Sequence, residues 1–94
     1  MRVALGPWGE SIDELLSATK AAEAGGFETA WFPELHRTAF MPAAAAAAVT
    51  SQISLGTGIA LAFVRSPLTL ALTALDLDEV ASGRFILGLG SGVA

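Results

Sequence analysis

The chain alternates short apolar runs with segments in which apolar residues recur at helical spacing. The apolar runs predict buried strands, because parallel strands covered on both faces are nearly continuous in hydrophobic residues. The segments between them carry the spacing of amphipathic helices. The resulting order, β-α-β-α-β-α-β, is typical of a parallel sheet built from strand–helix–strand units. The predicted strands cover residues 2–5, 28–32, 54–62 and 84–89.

Local signals mark where the three helices begin and end. Ser11 and Glu14 form a capping box, in which the serine hydroxyl accepts a hydrogen bond from the Glu14 amide. A proline suits the first turn of a helix, and a glycine suits the position just after the last turn. These rules predict helix starts at Ser11, Pro42 and Ser66-Pro67, and helix stops at Gly25-Gly26 and Gly83.

The spacing of apolar residues also predicts which helical faces are buried. In the first helix the expected core stripe is Ile12, Leu15, Leu16 and Ala22. The second helix contains the alanine run 43–48, whose small side chains favour close packing on a sheet. In the third helix we expect Leu68, Leu72 and Leu75 to face the core and Asp76, Asp78 and Glu79 to face water.

The length of 94 residues allows one domain, and no linker divides it. A (β/α)8 barrel takes about 250 residues, so the chain is expected to be the N-terminal part of a TIM barrel or else a small doubly wound sheet. In both architectures ligands bind at the carboxyl ends of the strands. The loops to inspect are therefore residues 6–8, 33–40, 63–66 and 90–93.

Composition limits the kinds of partner that the chain is expected to bind. Hydrophobic residues make up 53% of the chain and charged residues 15%, which favours a piece of a larger core. The net charge of −4 argues against nucleic acid as the main partner. With one histidine and no cysteine, no metal site is expected. The apolar runs are shorter than the ~20 residues of a membrane span, and no leader is recognised, so a cytoplasmic location is expected.

Polar residues that could carry chemistry follow the second strand. Glu34, His36 and Arg37 lie there, and a carboxylate with a histidine at a barrel mouth can serve proton transfer. The alternative is that they are solvated loop residues. In the third strand, Gly56 and Gly58 flank Thr57 and predict a bulge, or else make room for neighbouring helices.

A glycine-rich run, residues 88–92, ends the fourth strand. Its third glycine comes one position too early for a dinucleotide-binding fingerprint. The segment around Ser91 also lacks the wider frame of a nucleophile elbow. Backbone amides of Gly90, Ser91 and Gly92 can still hold a phosphate or a ring carbonyl.

Four segments, taken in order, resemble the N-terminal half of the luciferase-like monooxygenase family, and residues 59–67 most resemble its F420-dependent oxidoreductases. The segments are residues 24–31 (AGGFETAW), 55–59 (LGTGI), 65–67 (RSP) and 82–90 (SGRFILGLG).

The resemblance implies a barrel with a redox ring at the carboxyl ends of its strands. It implies a cis peptide bond between Gly58 and Ile59 and places the ring against Gly58, Ile59 and Ala60. Family members often have an acid followed directly by a histidine after the second strand. Here Glu34 matches the acid, Leu35 follows it, and His36 comes one position later. Val93 stands where the sugar-phosphate dehydrogenase branch has an acid, which argues against that substrate class.

The function expected from these observations is hydride transfer between coenzyme F420 and a small organic substrate, in a homo-oligomeric enzyme that binds neither nucleic acid nor membranes. Glu34 and His36 are the predicted catalytic residues, and Gly58, Ile59, Ala60, Gly90, Ser91 and Gly92 the predicted cofactor-binding residues. One alternative is an FMN-dependent monooxygenase. A second, non-enzymatic alternative is an inactive fragment or self-associating module.

Overall fold

The computed structural model describes residues 4–6, 11–34, 37–61 and 65–90. Within these ranges short strands alternate with three helices, as predicted. The elements are β1 (Ala4–Leu5), α1 (Ile12–Ala24), β2 (Thr29–Phe32), α2 (Phe40–Val49), β3 (Ser54–Thr57), β4 (Ala60–Leu61), α3 (Pro67–Val80), β5 (Phe85–Ile86) and β6 (Leu89–Gly90).

All strand pairs in the described residues are parallel. The main sheet has the order β1-β2-β3-β5, and β4 pairs with β6 beside it. The four predicted strands thus lie side by side in chain order, with β3 and β4 forming the third of them and β5 and β6 the fourth. A doubly wound sheet would reverse its order at a switch point, whereas a barrel adds each strand beside the last. The order therefore agrees with the predicted barrel.

The third and fourth predicted strands are each interrupted. The third divides into β3 and β4 at the Gly58–Ile59 peptide bond, which is cis, as the resemblance implied. The fourth divides into β5 and β6. Thr57 joins the two interruptions, because its hydroxyl donates to the Gly88 carbonyl and accepts from the Gly88 amide, both at 2.9 Å.

The core lies between the sheet and the helices. Ala30, Phe32 and Leu55 are almost fully buried on the helix-facing side of the strands. The alanines of α2 pack against them, which explains the alanine run, since small side chains let the helix approach closely. In α1, Leu15, Thr19 and Ala22 are buried; Thr19 was not predicted, and its hydroxyl is satisfied by the Leu15 carbonyl.

The other face of the sheet carries Trp31. Its indole lies against Gly56, where an added Cβ would come within 2.5 Å of the ring. A β-strand alternates its side chains between faces, so Trp31 points opposite to Ala30 and Phe32. The glycine at position 56 is therefore required by the indole and not by the neighbouring helices.

Two predictions about the helices are wrong. The second helix begins at Phe40 and not at Pro42, because the Glu34 carboxylate and the Thr38 hydroxyl accept the amides of Ala39 and Phe40 and extend the first turn backwards. Pro42 still lies in that turn, where its missing amide has no helical partner to lose.

The face of the third helix is also different from the prediction. Leu70 and Leu77 are buried, whereas Leu68, Leu72 and Leu75 are more than half exposed. Leucines occur on every side of α3, so the spacing of its apolar residues does not select one buried face. The acidic residues Asp76, Asp78 and Glu79 are exposed as predicted.

The amino ends of the strands are tied together by two charged side chains. The Glu23 carboxylate accepts the amides of Ser51, Gln52 and Ile53 at 2.6–3.1 Å. The Arg84 guanidinium donates to backbone carbonyls around the end of α2, among them Ala47 and Thr50. In barrel folds this end generally serves stability, which directs the search for a site to the opposite edge.

Candidate functional site

The candidate site lies where β2, β4 and β6 end. Ala60 is paired with Leu89, and Leu61 with Gly90, so the ends of β4 and β6 lie side by side. The Glu34 side chain reaches Leu61, which brings the segment after β2 to the same edge. The structure thus brings together five of the predicted residues: Glu34, Gly58, Ile59, Ala60 and Gly90.

Glu34 is the most heavily bonded side chain at this edge. Its Oε1 atom accepts from the Leu61 amide at 2.7 Å and from Arg65 Nη1 at 3.0 Å. Its Oε2 atom accepts from Arg65 Nη2 at 2.7 Å, the Ala39 amide at 3.0 Å and the Thr38 hydroxyl at 3.2 Å. The side chain is only 8% exposed. The carboxylate therefore joins the end of β2 to the start of α2 and to β4.

Arg65 is a residue of the site that sequence reasoning missed. Its guanidinium forms a two-pronged ion pair with Glu34, donates to the Leu61 carbonyl at 3.0 Å and lies 5.0 Å from the centre of the Phe40 ring. Arg65 was noted only as part of the resemblance. An available signal was its place directly before the Ser66 cap, at the carboxyl edge of the sheet, in a chain with five basic residues.

These contacts change the electrostatics of Glu34. Burial by itself raises the pKa of the carboxyl, but the hydrogen bonds from Arg65 and from the Leu61 and Ala39 amides outweigh it and lower the pKa from 4.5 to about 2. The side chain is consequently ionised at neutral pH. Its role as a proton carrier stays a prediction, and its contacts favour a structural task in the site.

The backbone between β3 and β4 offers an apolar surface at the same edge. Gly58 is exposed, Ile59 is 42% exposed, and Ala60 is fully buried. Gly90 lies directly against the Ile59 side chain, where an added Cβ would overlap the Ile59 Cδ1 atom. The surface is thus formed by the exposed Gly58 backbone and by the Ile59 side chain, which lies over Gly90. Cofactor binding at these residues stays a prediction.

Gly58 was expected either to mark a bulge or to make room for neighbouring helices. Its φ angle is not in the left-handed region, so conformational freedom does not demand a glycine there. An added Cβ would stand 3.4 Å from Trp31, a tight contact but not an overlap. At Gly88, by contrast, an added Cβ would overlap the Thr57 carbonyl oxygen. The strongest steric demand for glycine is thus at Gly88.

Three predicted site residues, His36, Ser91 and Gly92, lie outside the described residues. Over the described ranges, no group of three or more potential metal-ligating side chains is found, and no helix is long and apolar enough to cross a membrane.

Comparison with known proteins identifies the family. The sequence profile of the luciferase-like monooxygenases matches residues 2–94. The chain belongs to this family. Among its relatives, an uncharacterised protein of Mycobacterium tuberculosis is 42% identical over 76 residues, which cover 81% of this chain and 22% of the relative. The 5,10-methylenetetrahydromethanopterin reductase of Methanopyrus kandleri is 41% identical over 75 residues, covering 78% of this chain and 22% of that enzyme.

Solved structures of family members share the fold. The coenzyme F420-dependent tetrahydromethanopterin reductase of Methanopyrus kandleri superposes with a TM-score of 0.84 at 32% identity, covering 99% of this chain and 27% of that one. The oxygenating component of 3,6-diketocamphane monooxygenase from Pseudomonas putida, solved with FMN, gives a TM-score of 0.89 at 22% identity over 100% of this chain and 30% of that one. The chain thus has the luciferase-like α/β barrel fold over its first strand–helix units, and it spans about a quarter of the length of these relatives.

Proposed function

We propose that the chain is the N-terminal part of a luciferase-like barrel that transfers a hydride between coenzyme F420 and a small organic substrate. The observation that carries the proposal is the likeness to the F420-dependent reductase, at 32% identity over 99% of the chain. The rest of the barrel would follow Ala94, and the active unit would be a homo-oligomer. The chain's own residues would bind and orient the ring, while the cofactor supplies the redox chemistry.

We place this ring at the edge formed by β4 and β6. Gly58 presents exposed backbone, Ile59 presents an exposed apolar side chain that lies over Gly90, and Ala60 is buried. Ser91 and Gly92 would extend this surface with backbone amides, which bind phosphate or carbonyl oxygens. His36 would lie on the β2–α2 loop as the proton-transfer residue. These assignments rest on the family resemblance together with the position of the edge.

An FMN-dependent monooxygenase is the second candidate. The FMN-bound monooxygenase has the higher TM-score, 0.89, but its 22% identity supports the fold alone. The higher identity to the F420-dependent reductase is the reason to place F420 first. The inactive-fragment alternative requires that the reading frame stop at Ala94, which sequencing of the source DNA decides.

A paired titration tests the cofactor. The complete protein is purified and titrated with F420 and, separately, with FMN, following cofactor fluorescence. We expect saturable micromolar binding of F420 and weaker binding of FMN. The reverse order would favour the monooxygenase, and binding of neither would refute the proposed function. The 94-residue chain by itself is the matched control and should bind neither, since it lacks most of the supporting shell of the site.

A further inference from the structure

We propose that Glu34 and Arg65 are a positioning pair that fixes β4 beside the redox ring, with Glu34 acting through Leu61 and not by carrying a proton. The inference rests on the proposed function for the presence of the ring. The pair itself rests on contacts within the described residues.

The first argument is the number of donors on the carboxylate. An ionised carboxylate offers about four lone-pair sites. Glu34 accepts five hydrogen bonds, two of them from backbone amides and two from Arg65. No acceptor site is left over for a substrate hydroxyl or a proton in transit. A general base must lie within hydrogen-bond reach of the proton that it takes, and on this carboxylate five donors already occupy that range.

The second argument concerns the backbone groups that the pair binds. Glu34 accepts the Leu61 amide, and Arg65 donates to the Leu61 carbonyl, so the two side chains secure both backbone polar groups of one residue. Leu61 is the last residue of β4 and pairs with Gly90. Ala60 and Ile59 directly precede it. A shift of Leu61 would therefore displace the surface on which the ring is proposed to lie.

The third argument is the geometry of the arginine. Two guanidinium nitrogens meet the two carboxylate oxygens, while the flat side chain lies over Phe40 at the start of α2. A lysine has one ammonium group and cannot make this fork or the same stacking. The pair thus joins the β2–α2 loop, β4 and the β4–α3 loop at one point.

The variants are Glu34→Gln and Arg65→Lys in the complete protein, with Glu79→Gln as the matched control. Glu79 is an exposed carboxylate in the last turn of α3, whereas Arg65 precedes the first turn of that helix. Glutamine keeps the shape of Glu34 but places an amide donor against the guanidinium. Arg65→Lys keeps the positive charge, and it carries the test if Glu34→Gln does not fold.

Two readouts are used. Amide hydrogen exchange at Leu61, followed by NMR, should become about tenfold faster or more in both variants, a loss of about 1.4 kcal/mol of local protection. The Kd for F420, or for FMN if the wild type binds that cofactor, should rise about tenfold, again about 1.4 kcal/mol. The shape of the affinity–pH curve between pH 5 and 9 should match the wild type, because any step that belongs to the cofactor is common to all variants.

If the hydrogen-exchange rate of the Leu61 amide were unchanged in both variants, the positioning role of Glu34 and Arg65 would be refuted. A titration step near neutral pH that is present in the wild type and lost in Glu34→Gln would also overturn it, since it would show a carboxyl that gains and loses a proton in the working range. If the wild type binds neither cofactor, the proposed function fails, while the Leu61 exchange rates still decide whether the pair holds β4.

Discussion

At the scale of single residues, two carboxylates each bind several groups, at opposite ends of the sheet. Glu23 holds three successive amides at the amino end, and Glu34 joins three segments at the carboxyl end. The sequence indicated Glu34 through its place after a strand. Its partner Arg65 is 31 residues away, and the contact depends on how the ends of β2 and β4 meet, which no local pattern encodes.

Acid should therefore weaken the protein through these carboxyls. The pKa of Glu34 is lowered to about 2, and that of Glu23 is lowered by its hydrogen bonds to the amides of Gln52, Ile53 and Ser51. A folded-state pKa below the unfolded value gives stability that is present above pH 4.5 and is lost as pH falls toward 2.

We expect the Tm of the wild type to fall more steeply than that of Glu34→Gln between pH 5 and 3, so that the two values converge in acid. Thermal melts at half-unit pH steps measure this. A constant gap between the two Tm values over this range would show that Glu34 ionisation does not stabilise the fold.

At the scale of elements, local signals predicted the capped helices well. The hydroxyls of Ser11 and Ser66 accept the amides of Glu14 and Thr69, as their positions indicated. Gly26 takes a positive φ of 84° just after α1. The start of α2 was mispredicted because its first turn is completed by Glu34, which lies outside the helix. The exposed face of α3 was mispredicted because leucines occur on every side of it.

The interruption between β3 and β4 depends on Thr57. Its buried hydroxyl donates to the Gly88 carbonyl and accepts from the Gly88 amide. Thr57→Val keeps the shape and removes both bonds, which leaves the Gly88 amide without this acceptor. We expect a loss of about 1–3 kcal/mol in the free energy of unfolding.

Chemical denaturation of Thr57→Val and of the control Thr73→Val measures that loss. Thr73 also donates to a backbone carbonyl, but within a helix and at the surface. Its replacement should change stability by less than about 0.5 kcal/mol. Equal effects of the two substitutions would refute a special role for Thr57.

At the scale of the whole molecule, strand order could be predicted because helix-connected parallel strands add side by side. The spacing of apolar residues along the sequence did not distinguish a barrel from a doubly wound sheet. The observed order β1-β2-β3-β5 does so, and the family match agrees with it. In the described sheet β1 and β5 are the outer strands. Several large apolar side chains near β5 and β6, including Ile86, Leu87 and Leu89, are partly exposed.

The 94-residue chain should consequently self-associate when it is expressed alone. Unpaired strand edges and exposed apolar residues both favour association. Sedimentation velocity over a wide concentration range should show species larger than a monomer. Ile86→Lys, which places a charge on an outer strand, should reduce association, whereas Ala71→Lys on the exposed surface of α3 should not. A wild-type chain that stays monomeric would contradict this expectation.

The most direct test of the central claim is a crystal structure of the complete protein with its bound cofactor. The account predicts that the redox ring lies against Gly58, Ile59 and Gly90, with Glu34 and Arg65 still paired behind Leu61. A ring bound elsewhere, with the edge formed by β4 and β6 covered by protein side chains, would contradict the site proposed for this family member.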